Sequence, residues 1–411
     1  MTWFRLRQWA RASLWLVPLA CGIAGWLLSV ALIELDDATP SFEALDFTSS
    51  TATQLLSAFA GAAVAFTGFA FSVLLLVVQL AGTQLSPRAT RLAYRGLLSR
   101  VSLGLWVATL AFSISALESV TGDFVPQLTV AAAGILVFVS VIVFLFLIGR
   151  TSRILRPAPM GDLVTRAGRR ALSELHPDRR EDHPPAPAAP GGEVVRHRGR
   201  GGVVVNVDVA GLVRLAAAAG GQVAVVPAVG AYVSPGDPLL RVAGGAPDEQ
   251  RLRAAVIVGA ERSFERDPSL ALRILADISI RALSPAVNDP TTSAQMLKRV
   301  LEMLDDLAGR RLGPSAYRDA GGTVRVVLAA PEWDDYLAVG LAETIRYGAG
   351  SPQVARALRA MLLGLCERVD GERRAAVDHR LALLDEAVAA DYPGPLARAE
   401  ALVADRAGFG A

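Results

Sequence analysis

The sequence predicts an α-helical membrane domain of four spans followed by a cytoplasmic α+β region, in which a small β-barrel-like unit precedes a mainly helical part. Three observations carry this expectation. Four apolar runs, at residues 14–33, 55–78, 101–117 and 128–148, each come near the ~20 residues a helix needs to cross a hydrocarbon core. No Lys or Arg occurs at residues 12–87 or 101–149. The last ~255 residues, by contrast, are charged and alternate between strand-like and helix-like periodicity, and they suffice for one or two soluble domains. A mean hydropathy of +0.40 over 411 residues fits such a division and neither extreme.

The charges sort by side. Arg5, Arg7 and Arg11 precede the first run, Arg88, Arg91, Arg95 and Arg100 separate the second from the third, and Arg150, Arg153 and Arg156 follow the fourth. The other two connections carry only acids: Glu34, Asp36, Asp37, Glu43 and Asp46 in one, Glu118 and Asp123 in the other. The positive-inside rule then puts both termini in the cytoplasm of a plasma (inner) membrane, with two short external loops. A cleaved signal peptide is not expected, because the first run is long, holds Pro18 and lacks a small-x-small cleavage site. Cys21 and Cys366 fall on different elements and read as buried small apolar residues.

Within the spans, Gly61, Ala65, Gly68 and Ser72 line one face of the second run at spacings of four, three and four. Gly104, Ala108, Ala111 and Ser115 repeat that spacing in the third. Such stripes let backbones approach closely, so these two helices are expected to pack together or against copies of themselves. The fourth run has no stripe and is expected to face lipid. Trp3, Trp9 and Trp15 suit the first interface.

The boundaries read as a membrane domain at 1–156, a juxtamembrane helix and Pro-rich linker at 157–192, a β-rich unit at 193–246 and a mainly helical cytoplasmic domain at 247–411. Residues 150–170 hold six Arg and one acid, Asp162. Asp162 can cap a helix to Leu175 whose Arg166, Arg169 and Arg170 either lie on anionic headgroups or form a solvated face. His176, His183 and His197, with Asp178, Glu181 and Asp182, match no ligand spacing, and no metal or cofactor is predicted. In the β-rich unit Val205, Val207 and Val209 alternate with Asn206 and Asp208. Gly230, Val233, Gly236 and Leu239 make a G-x-x-V-x-x-G-x-x-L pattern that resembles the turns of biotinyl and lipoyl carrier domains, but the unit has no Lys to modify. From Arg251 onward the reading is helical: helices over 269–283, from an Asp289 cap with Pro290 first to about 307, and over 333–347, 352–369, 373–390 and 395–404, with one strand at 324–328.

One segment is distinctive. Residues 281–290 read Arg-Ala-Leu-Ser-Pro-Ala-Val-Asn-Asp-Pro, preceded by Gly259-Ala-Glu-Arg262 and Asp267-Pro268. With Phe71-Ser72, Gln79 and Gln84-Leu-Ser-Pro-Arg88 of the second span, this resembles a bacterial family of predicted inner-membrane proteins of unknown function. That family carries an A-L-S-P-x-[IV]-N-D-P signature after four spans. The resemblance implies a membrane protein and lends no activity.

Two readings of the signature stand side by side. In the structural one, Arg273, Asp277, Arg281 and Ser284 form a polar ladder on one helix face, and Asn288-Asp289-Pro290 is a turn and helix cap. In the functional one, Glu261, Arg262, Asp277, Arg281, Ser284, Asn288 and Asp289 contribute to a polar site or subunit contact where two helix ends meet.

For the molecule as a whole, no H-E-x-x-H, G-x-S-x-G, Walker loop or paired C-x-x-C occurs, so no enzyme is predicted. Basic residues cluster beside the membrane, so nucleic acid is not an expected partner. The expected partners are the lipid bilayer, further copies of the chain and an unidentified cytoplasmic protein. Gly61, Ala65, Gly68, Ser72, Gln79 and Gln84 are the candidate pore or packing residues of a homo-oligomer with a cytoplasmic sensing or gating domain, a channel being one form of it. The alternative is a membrane-anchored scaffold. The spans contain no Asp, Glu, His, Lys or Arg, which argues against proton coupling and voltage sensing.

Overall fold

A computed structural model describes residues 16–38, 47–84, 97–122, 124–154, 156–177, 191–245, 248–264 and 266–405. Arg5, Arg7, Arg11, Arg88, Arg91, Arg95, Glu43, Asp46, Asp123, Trp3, Trp9, Trp15, Asp178, Glu181, Asp182 and His183, all invoked above, lie outside those residues. The chain divides into two compact units, Met1–Arg156 and Pro157–Ala411.

The first unit consists of α1 (Leu16–Ala38), α2 (Ser49–Gln84), α3 (Leu97–Ser119) and α4 (Gln127–Ile154). All four are long and apolar enough to cross a membrane. At 36 residues α2 reaches ~54 Å, well beyond the ~30 Å of a hydrocarbon core. Helices α1 and α3 approach most closely. The buried face of α1 is Pro18, Gly22, Gly25 and Ser29. A Cβ on Gly25 would sit 2.5 Å from the Ala108 carbonyl oxygen, and one on Gly104 would sit 2.7 Å from Cys21 Sγ. At Gly25 the blocking atoms are backbone, so only hydrogen fits; at Gly104 the Cys21 side chain would have to move aside. Helix α2 meets α3 and α4 through larger side chains: Leu56, Phe112 and Val130 form one cluster with Ala52, Ala116 and Ala133. Further along, Phe66 stacks on the buried Trp106 with ring centroids 4.6 Å apart. Thr109 and Ser140 share a hydroxyl hydrogen bond of 3.0 Å across α3 and α4.

The two small-residue stripes therefore fare differently. That of α3 is covered by α1 at Gly104 and Ala108, an arrangement not anticipated from spacing, while Ala111 and Ser115 line a groove between the two helices. That of α2 is exposed over Gly61, Ala65, Gly68 and Ser72, and nothing lies within 4 Å of a Cβ placed on Gly61 or Gly68. On α4, Ile135, Phe138, Leu145 and Phe146 are exposed, as a lipid-facing helix requires.

At the end of the bundle where the acidic connections lie, Asp36 caps α4. Its Oδ1 accepts from Leu128 N at 3.0 Å, and its Oδ2 accepts from Thr129 N at 2.9 Å and Thr129 Oγ1 at 2.7 Å. Gln127 clamps Phe47 beside it, accepting from Phe47 N (2.9 Å) and donating to Phe47 O (3.0 Å). The carboxylate at the end of α1 thus takes up N–H groups that the first turn of α4 leaves without intrahelical partners, and ties two spans together.

The second unit opens with α5 (Pro157–Leu175), an amphipathic helix whose Met160, Val164, Ala171, Leu172 and Leu175 are buried. It lies against α8 (Pro268–Ala282) and α9 (Pro290–Ala308), where Gly168 faces Ala271 and Met303. Between them come β1 (Glu193–Arg196), β2 (Gly202–Val207), α6 (Val209–Ala218), β3 (Gln222–Val225), β4 (Tyr232–Val233), β5 (Pro238–Ala243), α7 (Glu249–Ala255) and β6 (Val256–Gly259). After α9 follow β7 (Ser315–Arg318) and β8 (Val324–Leu328).

The barrel-like expectation is corrected here. The strands form two open sheets, in the orders β1-β5-β3-β8-β7 and β4-β2-β6, and no barrel closes. The reason is long-range pairing. Strand β3 has a free edge that β8, a hundred residues later, fills in parallel with Val223 opposite Val326. A parallel partner needs a long crossover, and here the crossover contains α8 and α9. Strand β6, inside the stretch read as helical, pairs with β2. Val195, Val204, Val207, Leu212, Leu240, Leu252, Val326 and Leu328 share one core, so β strands from both sides of the helices are one structure. Gly230 and Gly236, with φ of 92° and 93°, make the turns read from the G-x-x-V-x-x-G-x-x-L pattern.

The chain ends in helices. α10 (Trp333–Leu337) runs through a π-turn at Ala338–Ala342 into α11 (Glu343–Gly348), and α12 (Pro352–Cys366), α13 (Gly371–Asp391) and α14 (Pro395–Ala401) follow. Gly340 of the π-turn packs on Leu272 and Val300, which brings Glu343 towards α8.

Candidate functional site

The polar signature is built around α8, and it has two ends. At the N-terminal end Asp267, 1% exposed, caps the helix by accepting from Leu270 N at 3.1 Å. Arg262 grips the same carboxylate bidentately, Nε to Oδ2 at 2.6 Å and Nη2 to Oδ1 at 2.8 Å. A Cβ on Gly230 would lie 2.5 Å from Asp267 Oδ2, so the β4 turn rests directly on this pair. Glycine is needed twice over there, for its positive φ and for the close approach. Arg262, Asp267 and Gly230 thus join the sheet region to the helices.

Midway along α8, Arg273 Nε pairs with Asp277 at 2.8 Å and its two Nη atoms reach Glu343 at 2.6 and 2.9 Å. The Glu343 hydrogen bond foremost, and Asp277 after it, hold the guanidinium's pKa above its ordinary value, against a desolvation that lowers it. Glu343 was not legible in the sequence, because the π-turn that aims it is a tertiary feature. Arg281 lies further along the same helix, half-buried.

At the C-terminal end the chain reverses through Ser284–Asn288. Ser284 O accepts from Val287 N at 3.0 Å and from Asn288 N at 2.8 Å, and Asp289 N donates to Ala282 O at 2.7 Å. Asn288 has φ 46°, the one positive value outside glycine among the described residues. Asp289 then caps α9, accepting from Thr292 N at 3.0 Å and Thr292 Oγ1 at 2.6 Å. Beneath the turn Ser279 and Ser293 hydrogen-bond at 2.7 Å, fully buried. The capping reading accounts for the Asp289 contacts.

The structure does not bring the candidates to one point. Arg262 and Asp289 flank opposite ends of a 15-residue helix, ~22 Å apart along its axis. Glu261 is exposed beside Arg262, and Ser284 and Asn288 lie on the surface turn at the far end. In the membrane unit, Thr67 Oγ1 donates to Ala63 O at 2.7 Å and Ser72 Oγ to Gly68 O at 3.0 Å, so both hydroxyls are engaged by their own helix. Gln79 is exposed on α2; Gln84 is its last residue, with its side chain outside the described part. A groove of about 380 Å³ runs between α1 and α3, lined by Leu19, Ile23, Trp26, Val107, Ile114 and Glu118.

Residue types outside the signature also carry buried polar contacts. His176, 2% exposed at the end of α5, bonds through Nε2 to Tyr336 Oη at 2.9 Å. Burial first, then Arg310 and Arg373, push its pKa down to about 4. Arg373 donates to Ala308 O at 2.6 Å and Arg310 O at 2.8 Å, closing the C-terminus of α9. Cys366 is buried and its thiol donates to Asp378 at 3.2 Å; burial and that carboxylate push its pKa up to about 11, so it is protonated and unreactive at neutral pH. Among the described residues no three His, Cys, Asp or Glu side chains are grouped to hold a metal ion.

The family described as predicted membrane protein DUF2254 matches residues 11–363. This chain belongs to that family. An uncharacterized protein of Mycobacterium bovis, Mb1321c, is 32% identical over 354 residues, covering 82% of this chain and 68% of its own length. The uncharacterized protein Rv1290c of Mycobacterium tuberculosis strain H37Rv gives the same figures, and MT1328 of strain CDC 1551 is 31% identical over the same coverage. No solved structure matches the chain. The DUF2254 match takes in all four spans, both sheets and the α8–α9 signature, and it stops within α12. The protein is accordingly a multi-pass membrane protein of a family without an assigned function.

Proposed function

We propose that this protein is a homo-oligomer of the inner membrane, with both termini in the cytoplasm and a C-terminal unit that senses a signal or gates the bundle. The observation that carries the reading is the open stripe on α2. Gly61, Ala65, Gly68 and Ser72 are all exposed, whereas on α3 Gly104 and Ala108 of the equivalent stripe are buried against α1. Small residues on a face that only ever met lipid would forgo the dispersion contacts of larger side chains; they gain their use when another backbone comes close. A second copy of α2 has the complementary surface by symmetry. The charge bias of the connections supports the orientation.

The test is assembly. Leu at Gly61 and Gly68 together should shift the protein from oligomer to monomer in lipid nanodiscs, measured by mass photometry, without unfolding it. An unchanged oligomer would remove α2 from the interface. Reporter fusions after Asp46 and Asp123 should read outside, and those after Arg95 and at Ala411 inside. A second reading, a membrane-anchored scaffold for a cytoplasmic protein, is favoured by the Thr67 and Ser72 hydroxyls being spent on their own helix, which leaves little polar lining for a pore. Planar-bilayer conductance, with Gln79→Leu as control, separates the two. A Gln79-sensitive current supports the channel, and silence under every salt, pH and tension supports the scaffold.

A further inference from the structure

We propose that the exposed face of α5 is a docking surface for anionic lipid headgroups, with Arg166 and Arg170 as its contacts. Helix α4 ends at Ile154 and α5 begins at Pro157, so two residues separate them. At no more than ~3.6 Å per residue, the first turn of α5 is tethered within ~11 Å of the end of a membrane-spanning helix. The three arginines Arg150, Arg153 and Arg156 precede it directly.

The helix itself is sharply two-sided. Its apolar residues and both glycines are used on α8 and α9, which leaves Arg166, Arg169, Arg170, Ser173 and Glu174 outward. The charges that could neutralise this face are taken. Asp162 pairs with Arg299, and Arg169 pairs with Asp306 at 2.5 Å. Glu174 reaches Arg266 at 3.9 Å. Arg166 and Arg170, one turn apart and exposed, have no carboxylate partner among the described residues. A guanidinium pair on a helix joined by two residues to a membrane-spanning helix matches the phosphates of an anionic leaflet, which it can grip bidentately.

The full-length protein in nanodiscs tests this. Cys21→Ala and Cys366→Ala clear the background, and Ser173→Cys carries a fluorophore on the same face. Quenching by a headgroup-spin-labelled lipid should be strong in discs containing phosphatidylglycerol and weak in pure phosphatidylcholine. Arg166→Gln with Arg170→Gln should cut the docked-to-undocked ratio about fivefold per arginine. Raising the salt to ~1 M, which shortens the Debye length from ~8 Å to ~3 Å, should abolish the difference between the two lipids. Because both arginines are exposed, an unchanged melting temperature for the double variant certifies its fold. Equal quenching in neutral and anionic discs, or no response to the double variant, would overturn the proposal. A label shielded from aqueous quencher but untouched by the lipid quencher would overturn it too, by assigning the face to a protein.

Discussion

Helices α2 and α3 carry the same four-residue stripe at the same spacing, and they use it in opposite ways. On α3, Gly104 and Ala108 receive α1 so closely that Gly25 has no room for a methyl group and one on Gly104 would have to move Cys21 aside. On α2, Gly61 and Gly68 look onto open space. A small-residue stripe encodes a capacity for close approach and leaves the partner unspecified. What α3 obtained inside its own chain, α2 must obtain from another molecule or leave to lipid. A contact closed within the chain should show itself in stability. A face left open should show itself only in assembly.

The largest expected effect tests the closed side. Gly25→Leu forces a side chain into the Ala108 backbone, and it should cost more than ~3 kcal/mol and abolish folding of the bundle in detergent. Gly61→Leu in the same assay should leave the melting temperature of the protomer unmoved. If both variants melt alike, the distinction between the stripes fails.

Next in size is His176, a closed contact in the other unit. Its folded pKa of about 4 lies below the ordinary 6.5. The unfolded chain therefore takes up a proton first, and stability present in full above pH 6.5 is lost as the pH falls towards 4. Between pH 7.5 and pH 5 the loss should be on the order of 2 kcal/mol. Thermal melts across that window measure it, and His176→Gln should flatten the dependence. A pH-independent melt of the native chain would mean that His176 is not held neutral.

Smaller again is the cap between spans. Asp36→Ala strands the first N–H groups of α4 and should lower the stability of the bundle by ~1–2 kcal/mol, read from its unfolding in detergent, while Asp36→Asn recovers only part of it, because an amide NH2 replaces one of the two accepting oxygens. Smallest is the signature turn. Asp289→Ala should lose ~0.5–2 kcal/mol and Asp289→Asn almost nothing, because any short acceptor serves an N-cap. A folded Asp289→Asn protein without activity in cells would sharpen the comparison in the other direction, by moving the turn from a closed contact to a working site.

Much of this was legible residue by residue. The spans follow from apolar runs that charges interrupt, and the cap at Asp289 follows from a short acceptor set before a proline; the same pattern at Asp267-Pro268 marks a cap that the reading of a helix from 269 passed over. The polar ladder at Arg273 and Asp277 was visible as a spacing, and it is paired as such. Its third member, Glu343, was not, because it arrives through a π-turn seventy residues away. The β region was legible as strands and illegible as sheets. The strand at 324–328 was read from the sequence, but nothing local says that it will lie in parallel beside Val223–Val225.

Local hydropathy and groups a few residues apart were enough to separate the apolar spans from the charged remainder and to start α9 at its Asp289 cap, although α2 and α3 begin at Ser49 and Leu97, ahead of the runs read from 55 and 101. Only the tertiary structure decided which faces meet. The Asp36 carboxylate was one acid of a connection until α4 brought its N-terminus to it, and Gly230 was a turn residue until Arg262 and Asp267 closed over it. The physical reason is the same in each case. A stripe, a strand edge or a carboxylate offers an interaction that many partners could accept, and the choice among them is made by long-range packing, in which each contact is affordable only because the others are formed.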